Sequence, residues 1–404
     1  MGISIVMKKN IISLVLIFIG TFFSSAQVQL SDSAKISLLT FSANTEVHAM
    51  YGHSAIRVSD STQNIDFVFN YGTFDFNAPY FVYRFIEGKT DYILSGTDYA
   101  TVIYDAVMRN IAITEQELNL TLDEKNRFWN NLLVNIKPEN RNYRYNFLFD
   151  NCALRPLWML QHSLDGKIEF VESDPQTTFR QLLHDCLSRS RWLTFGVDLV
   201  LGGSIDTPVT FQERLFLPHY LMTAFDQAVI IRGDERVPLV VRENDLMGAE
   251  EEEYEEFPIS PLMSGIILLI TVVLISLVAY KRKRVWIGFD QVLLFIYGVA
   301  GSIIWFLIFV SEHPAVSPNW NGVWLHPFYL LMFILLFIPL FKRFYPLFCA
   351  INVFLIALFY LVRITTIQQF NPAVDLFVLP LWIRSGEQLL LWVQSKRGLT
   401  QPTK

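Results

Sequence analysis

Charge is scarce in this chain. Only 17% of its 404 residues are Asp, Glu, Lys or Arg, against about 25% in ordinary soluble domains, while 52% are hydrophobic. That shortfall argues against a wholly water-exposed protein and points to membrane segments. Excess positive charge is missing too: 32 basic residues face 38 acidic ones, a formal net charge of −6, so nothing favours nucleic-acid binding. Histidine is sparse, and no His/Cys/Asp spacing resembles a zinc site. No metal and no cofactor are expected. No internal repeat is apparent. Cysteine is limited to Cys152, Cys186 and Cys349. Cys349 lies in an apolar run and reads as membrane packing. Cys152 and Cys186 share one region and could form a disulfide if that region is exported.

Export is what the N-terminus indicates. Lys8 and Lys9, the apolar run Ile11–Phe23 and the small residues Ser24-Ser25-Ala26 read as a secretory signal over residues 1–26. An uncleaved anchor is the alternative, weakened by the shortness of the run. No cysteine follows the cleavage site, so the chain is not itself a lipoprotein. Loss of the two lysines would take the formal charge from −6 to −8. Residues 27–248 then form an exported domain, and residues 249–258 a linker, because the glutamates from Glu250 to Glu256 repel one another.

From Ile259 the composition changes. Ile259–Tyr280, Phe289–Val310, Val323–Phe341 and Tyr345–Leu361 are apolar runs long enough to span a bilayer. Val374–Val393 is a possible fifth span interrupted by Arg384 and Glu387. Each would be costly at the bilayer centre unless paired or facing a cavity. They are three apart, so they could meet on one helix face; the alternative is a re-entrant or interfacial segment. Lys281–Arg284, Lys342-Arg343 and Lys396-Arg397 fall on one side in this alternation. The positive-inside rule makes that side cytoplasmic, with the C-terminus inside and the N-terminal domain outside. The fold expected is α+β followed by an all-α membrane domain, residues 259–404, of about five transmembrane helices.

Within the exported region, Ile36–Phe41, Ser54–Ser59 and Ile65–Tyr71 read as strands. The last two form a hairpin across the turn-rich Asp60–Asn64. In one register Asn70 lies beside His53, with Asp66 further along the same strand. Phe81–Ile86 and Tyr92–Leu94 are weaker strand candidates. Thr121-x-x-Glu124 is a capping box that opens a helix running to about Asn135. Phe179–Leu187 and Phe211–Ile230 carry helical spacing, and Ile231–Val241 resembles a hairpin turning at Gly233-Asp234. His162, His184 and His219 stand singly and read as packed or surface residues.

Cys152 is the candidate nucleophile. It follows Asp150 and Asn151, residues of the kind that begin helices, and precedes the apolar Leu154, Leu157, Trp158 and Leu160. Gly52-His53-Ser54 lies far upstream, and a thiol needs a base such as histidine to ionise. The plainer reading is a cysteine packed as a small hydrophobe. A disulfide to Cys186 would exclude the nucleophile altogether. Pro156 would kink a helix begun at Asn151, so Cys152 sits either in an irregular first turn or just before a later helix. Arg141, Tyr143, Arg144 and Tyr145 form a basic-aromatic cluster suited to a phosphate head group, or a solvated charged loop. The loop Ser311–Gly322, on the same side as the exported domain, and His326 just after it, supply His313, Asn319 and Trp320 as further candidates for a lipid-facing site.

Tyr51-Gly52-His53-Ser54-Ala55-Ile56-Arg57 and, about a hundred residues on, Asp150-Asn151-Cys152 resemble the circularly permuted papain-like group. That group includes NlpC-type peptidases and the lecithin:retinol acyltransferase-like enzymes. The His-before-Cys order matches the permuted acyltransferases. Asn70–Phe76, Asn140–Tyr145 and Asp150–Ala153, with the signal, the exported domain and the membrane block, are similar to Lnb-type lipoprotein N-acyltransferases of Gram-negative bacteria. The resemblance implies a bacterial inner-membrane transacylase with its N-terminal domain in the periplasm. Cys152 would take an acyl chain from a phospholipid donor and pass it, through a thioester, to the α-amine of a diacylglyceryl-cysteine lipoprotein. His53 would be the base, oriented by Asn70 or by Asp66. The departure lies in this third residue: the retinol acyltransferase-like enzymes often use a second histidine, and none occurs between His53 and His162. Two other classes remain open, a membrane-tethered cysteine peptidase or amidase acting on cell-wall peptides, and a non-catalytic membrane scaffold.

Overall fold

The computed structural model describes residues 28–46, 49–75, 78–172, 176–249, 256–284 and 286–397. The expected signal segment and most of the acidic run lie outside these residues. A seven-stranded antiparallel sheet forms the frame of the N-terminal domain, with β1 (Lys35–Phe41), β2 (His53–Asp60), β3 (Ile65–Thr73), β4 (Asp91–Asp98), β5 (Ile113–Leu118), β6 (Asn142–Arg144) and β10 (Val240–Met247) in the order β10-β5-β1-β2-β3-β4-β6. A small second sheet joins β7 (Lys167–Glu169), β8 (Val229–Arg232) and β9 (Glu235–Pro238). β1 lies inside the sheet between β5 and β2 and is buried over Ile36–Thr40, polar Ser37 and Thr40 included.

Helices Leu122–Asn135, Leu154–Ser163 and Pro218–Gln227 supply the core on one face of the sheet, through Phe128, Leu132, Leu157, Leu160, Leu221 and Phe225. Helix Tyr99–Met108 covers the other face, with Ala106 against Leu39, Ala55 and Val68. The expected capping box is present in full: Glu124 N–H donates to Thr121 Oγ1 and Thr121 N–H to the Glu124 carboxylate.

Two expectations fail here for readable reasons. Phe81–Glu87 is a helix, not a strand. Its apolar residues fall at 81, 82, 85 and 86, a helical recurrence. It ends at Gly88, whose positive φ of 80° closes the last turn. Phe211–Ile230 is not one helix. Pro218 lacks the N–H an interior position needs, so a turn over Phe211–Arg214 stops and a new helix starts with Pro218 in its first turn. The chain then enters β8 at Val229.

The C-terminal part is all helical. Pro261–Arg282, Ile287–Phe309, Pro339–Thr365 and Val374–Lys396 are long and apolar enough to cross a membrane, and Asn321–Leu335 is a shorter apolar segment. The expected continuous span Val323–Phe341 is broken into helices Asn321–Trp324 and Phe328–Leu335 and a 3-10 turn Pro339–Phe344. Pro327 and Pro339 stand at the breaks. The last helix is continuous past Arg384 and Glu387, which are buried and do meet. Arg384 Nε donates to Asp290 Oδ1 of the second span at 2.7 Å, and its Nη1 to Ser276 Oγ of the first span at 3.1 Å and to Glu387. Gln388 donates to the other Asp290 oxygen at 3.0 Å. Helix-to-helix pairing thus replaces most of the water these groups would lose, with Arg384 Nη2 and Glu387 Oε1 left without a partner among the described residues.

The two parts are joined by a buried polar junction. Arg180 donates from Nε to Asp206 at 2.7 Å and from Nη1 to Asp198 at 2.9 Å, and Nη2 reaches the Gly202 carbonyl at 3.0 Å. The same carboxylates accept from the membrane part, Asp198 from Asn371 Nδ2 at 2.9 Å and Asp206 from the Gln369 N–H at 3.1 Å. Gly202 and Gly203 donate to the Ala315 and Pro318 carbonyls at 2.8 Å each. A Cβ at Gly202 would stand 2.2 Å from the Pro318 oxygen, so only glycine fits. Helix Arg191–Val200 packs into the membrane core itself, with Phe195 against Phe377 at 5.2 Å.

Removing one partner of a buried ion pair costs about 3–5 kcal/mol. Arg180→Ala, which leaves buried Asp206 without its cation and Asp198 with His184 alone at 2.8 Å, should therefore sharply lower the unfolding midpoint of the purified protein. Lys35→Ala, which removes the exposed pair with Glu117, should leave it almost unchanged.

Candidate active site

His53 opens β2 and Asn70 lies near the end of β3, which pairs with β2 in antiparallel register. The hairpin brings the imidazole to the amide: His53 Nε2 lies 2.9 Å from Asn70 Oδ1. That oxygen also accepts the Gly72 N–H at 2.6 Å. An amide oxygen offers no proton, so Nε2 carries the hydrogen, and Nδ1 is the acceptor left for the Cys152 thiol, which His53 hydrogen-bonds. Two glycines make the room. Gly52 has φ +73°, and a Cβ there would lie 2.9 Å from the Phe41 carbonyl oxygen. A Cβ on Gly72 would stand 2.6 Å from His53 Cε1. Gly52 was visible as part of the Gly-His motif; the need for glycine at 72 had no sequence signal apart from its place two residues after Asn70.

Asn151 fixes the cysteine from the other side. It is buried, and its amide is fully used: Nδ2 donates to the Phe147 and Phe216 carbonyls at 2.8 Å each, and Oδ1 accepts the Ala153 and Leu154 N–H groups at 3.0 Å each. The helix begins at Leu154, two residues past Cys152, and Pro156 falls in its first turn where no N–H is required. Asp150 grips Arg155 through two bonds of 2.5 and 2.6 Å, and the Arg155 guanidinium lies 4.0 Å from the centre of the Tyr143 ring. The cysteine therefore sits in a turn with little freedom, only 8% exposed.

Burial alone would raise the Cys152 thiol. The charge and hydrogen bond of His53, with the backbone N–H groups of Ser54 and of Cys152 itself, outweigh it and hold the thiol below its ordinary pKa. Burial pulls the imidazole the other way, but the charge of the Cys152 thiolate and the bonds to Cys152 and Asn70 hold its pKa above the ordinary value. Each group is thus shifted toward its charged form by the other. Cys186 differs: burial, with a contribution from Asp185, pushes its thiol up to about 11. Cys152, Cys186 and Cys349 are all free thiols, so the disulfide that would have silenced Cys152 is not formed. Among the described residues no cluster of His, Cys, Asp and Glu could hold a metal ion.

The remaining candidates disperse. Asp66 binds Arg57 through two contacts of 2.8 Å, in pair with Ser59 and away from the imidazole, so of the two proposed orienters only Asn70 touches His53. Tyr143 is buried in edge strand β6 with its hydroxyl donating to the Tyr71 carbonyl. Arg144 pairs with Asp91 at 2.8 Å, and Arg141 lies exposed, its carbonyl bound to the Leu94 N–H. His313 Nε2 lies 2.8 Å from the Phe85 carbonyl. Asn319 donates to the Leu199 and Val200 carbonyls at 2.8 and 3.0 Å, and the Trp320 N–H to Gln368. His313 and Asn319, with Arg144 through Glu312 at 3.6 Å, link the N-terminal domain to the membrane part, whereas Tyr143 stands near Cys152, and burial together with the thiolate raises its phenol. Tyr145 and Tyr92 approach Cys152 as well. They stack at 4.1 Å beside the sulfur, and burial, reinforced by the nearby thiolate, keeps both phenols protonated, Tyr92 up to about 12. Gly52 also lines a cavity of about 650 Å³, together with Phe41, Tyr51, Cys186 and His219.

A Cys/His/Asn cluster on a sheet-rich domain, docked on a bundle of helices long and apolar enough to cross a membrane, defines a membrane protein with a candidate thiol site. Two family models match: the Lnb N-terminal periplasmic domain over residues 23–185 and the Lnb transmembrane domain, a five-helix unit, over residues 251–396. No curated protein and no solved structure matches the chain. The chain belongs to the Lnb family, as a multi-pass inner-membrane protein with a periplasmic N-terminal domain and a membrane domain of about five spans. Membership in that family suggests an enzyme with a lipoprotein N-acyltransferase-like role.

The lowered thiol pKa has a direct readout. Iodoacetamide alkylation of Cys152 in a Cys186→Ala background should remain fast well below about pH 8.5, where a free thiol protonates, and fall only as pH drops through the lowered value. His53→Ala should move the profile upward and slow alkylation at neutral pH by about tenfold or more. Gly72→Ala, which drives a methyl into the imidazole, should do the same without removing a titrating group.

Proposed function

We propose that this protein moves an acyl chain from a phospholipid, through a thioester on Cys152, to the α-amine of a diacylglyceryl-cysteine lipoprotein. The observation that carries the reading is the His53-bonded thiol, its pKa lowered, in a periplasmic domain locked onto a membrane bundle. In the first half-reaction the Cys152 thiolate attacks the ester carbonyl carbon. The N–H groups of Ser54 and Cys152, which bond the sulfur, are available to stabilise the oxyanion. The C–O bond breaks, His53 gives its Nδ1 proton to the departing lysophospholipid oxygen, and the acyl group stays on sulfur. In the second, neutral His53 accepts the proton of the incoming amine as it attacks the thioester. The C–S bond breaks, an amide forms, and the thiolate and imidazolium return. Asn70 holds the tautomer throughout, the role of the third member in Cys-His-Asn sites, which supports describing the domain as permuted papain-like. The domain limits proposed are a cleaved leader over 1–26, a catalytic domain over 27–248, an acidic linker over 249–258 and the membrane domain over 259–404.

The orientation proposed places the C-terminus in the cytoplasm. Lys281 and Arg282 end the first span, Lys342 and Arg343 lie in the turn Pro339–Phe344, and Lys396 ends the last helix. The segments bonded to the N-terminal domain, Ala315–Asn321 and Gln368–Asn371, belong to the other end of the bundle.

Purified protein given phospholipid with a labelled acyl chain and no acceptor should trap label that neutral hydroxylamine releases. Cys152→Ala should trap none, and Cys186→Ala should trap as much as the parent. Active protein that never takes label from lipid, yet cleaves a soluble peptidoglycan fragment, would replace this reading with the amidase. A reporter that works only in the periplasm, fused after Lys404, should be silent; activity there would mean that Val374–Lys396 does not cross.

A further inference from the structure

Helix Phe81–Glu87 buries none of its residues. Tyr80 before it is 82% exposed and Val82 is 67% exposed, with Tyr83 and Phe85 also open. An apolar helix of the periplasmic domain facing water would be an unexplained cost, but its neighbours identify its surroundings. Tyr83 lies against Phe306, in the last turn of the second span, at 5.9 Å. The carbonyls of Ile86, Phe85 and Glu87 accept bonds from Ser311, His313 and the Glu312 N–H, in the loop that leaves that span. Phe309, at the end of the same span, is 70% exposed. The helix thus lies at the level where the spans meet the periplasmic surface, its apolar face continuous with theirs. Arg84 and Lys89, at its polar end, pair with Asp91 and with Glu87 and Glu312.

Behind this helix runs an unbroken line of rings toward the nucleophile. Phe81 stacks on Phe74 at 5.5 Å, Phe74 meets Tyr92 at 4.8 Å, and Tyr92 stacks on Tyr145 at 4.1 Å beside Cys152. We propose that helix Phe81–Glu87 lies in the outer interface of the bilayer and that the rings behind it guide an acyl chain of a membrane phospholipid to Cys152. The first half of this stands on exposure and on continuity with the spans. The second rests on the acyl-donor reading above. An amphipathic surface of this kind binds by burying its apolar face among acyl chains, and aromatic side chains favour that interfacial depth. The rings offer a lipid tail an apolar surface it can follow while its ester is still held near the surface.

Two measurements on the full chain in phosphatidylethanolamine nanodiscs separate the halves. The first places the photocrosslinker p-benzoylphenylalanine at position 82, and in a control at position 64, in the β2–β3 turn at the strand ends opposite His53. Position 82 should yield a phospholipid adduct by mass spectrometry and position 64 should not. No lipid adduct at 82, equal yields at both, or an adduct to protein instead of lipid would overturn the membrane contact. The second measures hydroxylamine-sensitive label on Cys152 from bilayer phospholipid and from a dihexanoyl phospholipid dissolved as monomers. Val82→Asp should cut labelling from the bilayer by about tenfold while leaving labelling from the monomeric donor unchanged. Undiminished labelling from the bilayer, or equal loss with both donors, would overturn the guiding role. A parent protein that takes label from neither donor would sink the thioester reading and the guiding role with it, and the adduct would still decide where the helix lies.

Discussion

The geometry of this protein depends on one buried guanidinium. Arg180 collects two carboxylates and two backbone carbonyls inside the periplasmic domain, and the same carboxylates accept from Gln369 and Asn371 in the membrane domain. A network of this kind need not add much net stability, because desolvating three charges offsets most of their attraction. Its stricter effect is on alternatives. A tilt or slide of one domain over the other would leave buried charges without partners, which is far worse than losing apolar contact. The height of Cys152 above the spans is set by that intolerance, along with the glycine contacts at Gly202 and the burial of Phe195 among membrane helices.

The same logic of fully used polar groups operates at the thiol. Asn151 spends both donors and both acceptor positions on backbone, so the turn carrying Cys152 has one arrangement. Asn70 accepts from Gly72 and from His53, which fixes which imidazole nitrogen faces the sulfur. Gly52 and Gly72 contribute by what they lack, since a methyl at either would strike the Phe41 carbonyl or the imidazole. The site is rigid because its neighbours are saturated or cannot be enlarged.

Much of this was legible beforehand. The hairpin over residues 53–73, the cap at Thr121 and the sites of Cys152 and His53 follow from local chemistry that does not depend on distant neighbours. Asn70 was readable because a two-residue period on paired strands leaves few choices of register. What escaped were features decided by tertiary partners. Phe81–Glu87 looked like a strand because its aromatic residues suit a sheet, yet the sheet edge there is filled by β6 and the segment is held by a membrane loop. Arg144, His313 and Asn319 read as candidate ligand-binding residues; in the structure Arg144 pairs with Asp91, and His313 and Asn319 bond backbone carbonyls of the N-terminal domain. Their polarity was correctly noticed; their partners lay more than fifty residues away, beyond any local pattern.

Arg384 carries an implication for biogenesis. The helix that holds it is the least hydrophobic of the candidate spans, and its charge is met by Asp290 and Ser276 on the two spans made first. Synthesised after them, this segment enters a membrane where the Asp290 counter-ion is already installed. Deletion of the first two spans would leave Arg384 only Glu387 of its own helix, so this crossing is eased by the two that precede it.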